Sequence, residues 1–362
     1  MTFCMAVSET TVVVSSIDVD KCFVYSLDSG NVKNLTESLG EAYKNIPINN
    51  HDLQKACAAF SADGTLFAYN PNKGKLLSIW NTANWTLVEN KTLAKHATNI
   101  VFTPKTNVII VGDKKGDVYA FEELPVRILG HSSMILDICI SDNEKYIVTC
   151  DNDEKVRVSH YPNGKNIVYY MMGHEAYVSG ICLLNNFILS GSGDSTLRLW
   201  DFNKGNLLDK LTLHTPIQSV IEIKDLAAIQ LYNSKDVHII KTEKKDNKWN
   251  IKNIKTIQFE SNVLDLAAYG NQLWILTGNS VYKYTIDASN EIILKIEDAD
   301  MTHIFETLSN LVKSFVCLEK TDLMNFLYNK MIDRQKRTEQ YKQKSNTPVL
   351  HQTKRLRTEV NL

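Results

Sequence analysis

The chain is short of proline and glycine, 7 and 15 of its 362 residues, and shorter still of long apolar runs. No stretch of roughly eighteen apolar residues occurs, which argues against a membrane-spanning helix. The N-terminal MTFCMAVSET lacks a basic stretch leading into an apolar core, so it does not read as a secretory signal. The seven cysteines (Cys4, Cys22, Cys57, Cys139, Cys150, Cys182, Cys317) are odd in number, contain no C-x-x-C pair and lie mostly inside apolar runs. That pattern predicts reduced core thiols in a cytosolic or nuclear protein. Metal and nucleotide motifs are missing too. His174-Glu175 opens HEAYV instead of H-E-x-x-H, and DNDEKV lacks the glycine of a calcium loop. GDKKGD (112–117) lacks the G-x-x-x-x-G-K-[ST] of a phosphate loop, and no dinucleotide fingerprint appears. Residues 1–319 also lack the helical material that a parallel sheet with crossover helices needs. The chain therefore reads as non-catalytic, with no cofactor or metal of its own.

What is present is strand. Val, Ile, Thr, Tyr and Phe recur in short alternating runs such as TVVVSS, KCFVYSL, DVYAF and KVRVS, which favours an all-β fold. With 44% apolar and 22% charged residues the chain can bury a large core. A net charge of −1 hides an asymmetry: from Lys330 to Arg357 nine basic residues stand against Asp333 and Glu339, leaving −8 on the rest. A mildly acidic body with a basic tail suggests anionic partners for the tail.

Two segments repeat. In GHSSMILDICISDNEKYIVTCDNDEKVRVS and GHEAYVSGICLLNNFILSGSGDSTLRLW, Gly130-His131 aligns with Gly173-His174 and Asp153 with Asp194, at offsets of 43 and 41 residues. A Gly-His opening and a Trp-Asp closing at that period resemble the WD repeat, whose units each give four strands to a propeller blade. In such repeats an indole N–H, a hydroxyl, an imidazole and a carboxylate form a structural chain. Here the resemblance assigns it to Trp200, Ser190, His174 and Asp194. A serine nucleophile would be expected in a G-x-S-x-G elbow, and L-S-G-S-G-D around Ser190 and Ser192 is not one. In the first copy Thr149 takes the place of Ser190, while Ser159 stands where tryptophan is expected, so the chain there looks incomplete.

Weaker copies close in Trp80-Asn81 and Phe121-Glu122. Downstream, TPIQSVIEI, LAAIQLY, KDVHIIKT and KWNIKNIKTI form one group of four strands, and SNVLDLAAY, QLWILTG, SVYKYTI and EIILKIE another. With the N-terminal strands the sum is seven blades over residues 1–319, with 28–54 as a long inter-blade loop. For ring closure, either SFVCLEK near Val316 pairs with the N-terminal strands, or those strands complete the last blade. Beyond Glu319 the spacing of Leu323, Phe326, Leu327, Met331 and Ile332 predicts a basic helix over 320–344 capped by Thr321. Residues 345–362, polar and interrupted by Pro348, read as a disordered basic tail.

Two basic features remain. KTEKKDNKWNIKNIK (241–255) has six lysines and Trp249, which suits either a solvated hairpin tip or a contact with an RNA backbone, the tip being the simpler account. RQKR (334–337) and KRLR (354–357) fit nuclear import or phosphate contact.

Taken together, ILGHSSMILDICISDNEKYIVTCDNDEKVRVS, GDKKGDVYAF, SGSGDSTLRLW and the basic C-terminus resemble the WD-repeat, non-catalytic subunit family of tRNA (guanine-N(7)-)-methyltransferase, called Wuho in insects. The resemblance is dense from about Thr106 to Leu208. It implies a scaffold that forms a heterodimer with a separate S-adenosylmethionine-dependent methyltransferase, stabilises it, and helps position tRNA for N7-methylguanosine formation in the variable loop. It further implies a nuclear and cytoplasmic location and a link to development. The residues it nominates for partner binding are Lys114, Glu154, Lys155 and Arg157, with Arg198 the equivalent of Arg157 one blade on. Lys330, Arg334, Lys336 and Arg337 would contact tRNA. The rival expectation is a substrate receptor of a cullin-type ubiquitin ligase or another interaction hub. Against a ligase receptor, Trp200-Asp201 is followed by Phe202-Asn203 where W-D-x-R is expected.

Overall fold

The computed structural model describes residues 3–16, 21–39, 43, 57–71, 75–286, 292–293, 328, 331–332 and 336. They form seven antiparallel four-stranded sheets, each built from consecutive strands. The sheets span residues 3–34, 57–92, 97–130, 135–171, 178–212, 217–258 and 263–293, and are numbered here as blades 1 to 7. The fold is a seven-bladed β-propeller. First strands of successive blades touch one another around the centre and line a central cavity of about 790 Å³.

Position in the blade explains the sequence pattern. A middle strand has a neighbouring blade on each face, so it reads as a continuous apolar run; Phe187–Ser192 and Leu226–Leu231 are buried throughout. A rim strand such as Leu207–Thr212 is half-exposed or exposed throughout instead. The core is correspondingly divided into seven clusters, each shared between two adjacent blades. Blades 4 and 5, for example, jointly enclose Val148, Val156, Tyr177, Ile188 and Trp200.

The seventh cluster closes the ring. Phe3, Met5, Val12 and Val14 of blade 1 pack on Trp274, Leu276 and Val281 of blade 7, and the Met5 N–H donates to Asp265 Oδ2 at 2.6 Å. The N-terminal strands do not complete the last blade. Blade 1 has its own rim strand, Val32–Asn34, and blade 7 its own, Ile292–Ile293. Closure among the described residues is by packing and not by shared strands. The alternative through Val316 lies outside them.

The long loop expected over 28–54 also needs correction at its start. Gly30, at φ +69°, turns the chain so that Val32 pairs with Tyr25 and Asn34 with Phe23, after which Leu35–Leu39 forms a 3-10 helix. Three exposed or half-exposed rim residues carry too little alternation to read as a strand. Of 40–56, only Tyr43 is described; it is buried. The helix expected over 320–344 lies outside the described residues except for Tyr328, Met331, Ile332 and Lys336, which are helical, and the tail 345–362 lies wholly outside them.

Candidate docking face

Blade 5 contains the hydrogen-bond chain that fixes this face of the ring. Trp200 Nε1 donates to Ser190 Oγ at 2.8 Å, Ser190 Oγ lies 2.8 Å from His174 Nε2, and His174 Nδ1 lies 3.0 Å from Asp194 Oδ2. Every hydrogen finds an acceptor if the indole donates to the hydroxyl, the hydroxyl to Nε2, and Nδ1–H to the carboxylate. Burial opposes ionisation of Asp194, but the bonds from His174, Thr196 and the Glu175 N–H outweigh it and hold the carboxyl well below the usual range. Ser190 is fully buried. Serine, histidine and aspartate are thus within bonding distance as in a hydrolase triad, but the serine has no solvent face and is already bonded to Trp200.

Blade 4 builds a related chain with a different aspartate. His131 Nδ1 is 2.8 Å from Asp151 Oδ2, and Nε2 is 2.8 Å from Thr149 Oγ1. Alignment had put Asp153 over Asp194, on the spacing from the hydroxyl. Geometry follows the spacing from histidine, because the imidazole has to reach both partners: His131 to Asp151 and His174 to Asp194 are each separated by 20 positions. Asp153 is exposed and only its N–H is engaged, donating to Asp151 Oδ1 at 2.9 Å.

Buried aspartates, Asp113 and Asp151, anchor two charged turns on the neighbouring blades. In blade 3, Asp113 Oδ1 accepts the Lys115 and Asp117 N–H groups, which shapes the turn carrying Lys114. Gly116 (φ +94°) lies so close to the next segment that a Cβ would come 2.4 Å from Ser133 O and 2.6 Å from His131 O. In blade 4, Asp151 Oδ1 accepts the Asp153 and Lys155 N–H groups, shaping the turn that carries Glu154 and Lys155. Both turns are tied to the segment linking the blades: the His131 N–H donates to Gly116 O at 2.7 Å and the Asn152 N–H to Met134 O at 3.0 Å. Lys114, Glu154 and Lys155 are therefore brought to one end of the ring, each half-exposed. The C-terminal segment meets the same end, where Tyr328 stacks on Tyr232 with centroids 5.3 Å apart and Met331 packs on the core of blades 4 and 5. Lys336 is exposed; Lys330, Arg334 and Arg337 lie outside the described residues.

Arg157, also nominated for partner binding, is turned into the fold. Its residue is 4% exposed. Nε donates to Ser159 Oγ at 2.8 Å, one terminal nitrogen to Gly130 O at 3.0 Å, and the other to Gly164 O. Ser159, which stands in the tryptophan position, thus receives its hydrogen bond from arginine. The guanidinium ties the end of blade 3 to the outer loop of blade 4. Sequence alone could not separate this from a docking role, since arginine at this strand position suits both.

The centre of the ring holds residues the motifs did not reveal. Asp137 accepts from Asn99 Nδ2 at 2.8 Å and from the Ile181 N–H at 2.9 Å, joining blades 3, 4 and 5, as Asp265 joins blades 7 and 1. At the opposite end of the ring, burial together with Asp142 and Asp225 pushes the Glu222 carboxyl up to about 7. Among the described residues no group of side chains could hold a metal ion.

Residues 123–283 match the family described as the tRNA methyltransferase TRM82 WD40 domain. The human protein named tRNA (guanine-N(7)-)-methyltransferase non-catalytic subunit WDR4 is 32% identical over 203 residues, covering 54% of this chain and 48% of the relative. The Anopheles gambiae non-catalytic subunit named wuho is 34% identical over 254 residues, 65% of each. The chain spans about half the length of most of these curated relatives. Among solved structures, a chain of the mitotic checkpoint complex superposes with a TM-score of 0.64 at 16% identity, covering 78% of this chain and 89% of that one. The C-terminal WD40 domain of Sif2 gives 0.56 at 17%, covering 76% and 78%. These two likenesses concern the fold alone. By its repeat signature, the matched segment and these relatives, the chain is a WD-repeat propeller similar to the non-catalytic subunits of tRNA (guanine-N(7)-)-methyltransferase.

Proposed function

We propose that this propeller is the non-catalytic scaffold of a tRNA (guanine-N7)-methyltransferase, pairing as a heterodimer with a separate S-adenosylmethionine-dependent subunit. The observation that carries the reading is the pair of clamped turns with Lys114, Glu154 and Lys155 on adjacent blades. Their backbones are fixed by Asp113, Asp151 and the intervening segment, so a partner meets preset charges and little ordering entropy is lost on binding. Charges of both signs at one rim favour register and encounter rate over raw affinity. The basic residues Lys330, Arg334, Lys336 and Arg337 then help hold tRNA so that a variable-loop guanosine reaches the partner's active site. The complex works in nucleus and cytoplasm.

Co-expression with the methyltransferase tests the proposal. The full chain alone is expected neither to bind S-adenosylmethionine nor to methylate tRNA, and activity should appear with the partner. Lys114→Glu combined with Lys155→Gln, which avoids a like charge beside Asp151, should weaken the complex about tenfold with little change in melting temperature. Methyl transfer by the chain alone, or full association of the double variant, would overturn it.

A further inference from the structure

Blade 6 departs from the others at its rim. Its third and fourth strands, Asp236–Lys245 and Lys248–Gln258, run to 10 and 11 residues, whereas no other described third or fourth strand exceeds seven. The surplus forms a hairpin closed by Asp246 and Asn247, both at positive φ (50° and 61°), a two-residue turn whose twist matches its strands. The hairpin is held in place. Trp249 packs on Phe187 of blade 5 with centroids 4.6 Å apart, Trp249 and Ile251 join the core of blades 5 and 6, and the Ile251 N–H donates to Asp209 Oδ2 at 2.6 Å.

Register decides what the other face presents. Lys244 pairs with Trp249 and Thr242 with Ile251, on the side turned to blade 5. Alternation puts Lys241, Glu243 and Lys245 on the opposite side, facing Lys252, Asn250 and Lys248 respectively. Two pairs of lysines thus stand directly across from each other, Lys241 with Lys252 and Lys245 with Lys248. Like charges directly opposed destabilise a sheet. A single glutamate lies between them, and Glu243 reaches only Lys252, at 3.1 Å. The fold holds this charge on a rigid support and leaves most of it uncompensated.

We propose that this lysine ladder is a binding surface for the phosphate backbone of RNA. It lies at the end of the ring opposite Lys114 and Lys155 and does not rest on the reading of the docking face. Trp249 is engaged with Phe187 and offers no free stacking platform, so contact is through phosphate and independent of base sequence. Such binding is strongly salt-dependent, by about 0.7–0.9 in the log–log slope for each phosphate neutralised.

The test uses the full chain, a labelled mixed-sequence RNA of about 20 nucleotides, and anisotropy titrations over a range of salt. Changing Lys241, Lys245, Lys248 and Lys252 to Gln should flatten the salt slope by about 1.5–2 units, since Glu243 and the turn's Asp246 offset two of the four charges, and weaken binding about tenfold at moderate salt. A charge-matched control with Lys105, Lys145, Lys165 and Lys204 changed to Gln should change affinity by no more than about twofold. The ladder variant should melt no lower than wild type, because it relieves repulsion. If it fails to fold, Lys248→Gln alone should still flatten the slope by about 0.7–0.9. An unchanged slope, or an equal loss in the control, overturns the proposal. So does competition by poly-glutamate as effective as by RNA, or tighter capture by phosphatidylserine vesicles than by RNA.

Discussion

Arg157→Leu tests the internal role of this arginine directly. The leucine occupies part of the same space but removes three donors, stranding Ser159 Oγ, Gly130 O and Gly164 O. Ser159 and Gly164 are buried and Gly130 is half-buried, so water can replace only part of what is lost. Each stranded buried acceptor costs about 1–3 kcal/mol; taking the low end for each and adding the lost tie between two blades gives roughly 4 kcal/mol. Unfolding entropy of about 2.1 cal/mol/K per residue over 362 residues converts this to a fall in Tm of about 5 °C for a ring that unfolds as one unit. Arg198 is the matched control. Its Nε donates to Thr196 Oγ1 at 3.4 Å, so Arg198→Leu should cost only about 1 kcal/mol. Differential scanning calorimetry on both variants measures the contrast. A complex-formation assay repeated at low temperature then separates stability from contact, since affinity lost through unfolding returns on cooling. An Arg157→Leu protein that melts within about 1 °C of wild type, or an Arg198→Leu protein that loses as much, would refute the reasoning.

Ser190→Ala removes the acceptor of the Trp200 N–H and the partner of His174, and should cost about 2–3 kcal/mol in a urea melt; an unchanged midpoint would refute the structural role of this hydroxyl. Asp265→Ala strands the Met5 N–H where the ring closes, and should destabilise by about 1–3 kcal/mol, with faster hydrogen exchange in blades 1 and 7 before the rest; uniform exchange across all blades would count against local opening. Glu222 has a folded-state pKa of about 7 against an ordinary 4.5, so the folded protein binds the extra proton between these values. Its contribution is present below pH 4.5 and is lost as pH rises through 7. Glu222→Gln should therefore flatten that slope and raise stability at alkaline pH, by less than about 1 kcal/mol because solvent still reaches one side of this partly desolvated carboxyl and screens it. A pH profile of Tm identical in the two proteins would refute the assignment.

Much of this was legible in the chain itself. Apolar runs at strand length, a period near that of one blade, and the Gly-His and Trp-Asp signatures determine a propeller with seven blades, because burial on both faces of each blade demands those patterns. The members of the blade 5 chain, His174, Ser190, Asp194 and Trp200, were readable for the same reason: each residue type supplies the donor or acceptor that its neighbour lacks. Tertiary structure decided what depends on distance across blades. It chose Asp151 over Asp153 as the partner of His131, since the imidazole's reach is fixed in space and not along the chain. It turned Arg157 inward onto Gly130 at the end of the preceding blade, while the same guanidinium also reaches Gly164 in its own blade's outer loop. It closed the ring through packing on Trp274, which no strand motif announces. And it sorted Lys241, Lys245, Lys248 and Lys252 onto one face and Lys244 onto the other, because pairing register and the fit of Trp249 against Phe187 settle which side of a hairpin meets the neighbouring blade and which meets solvent.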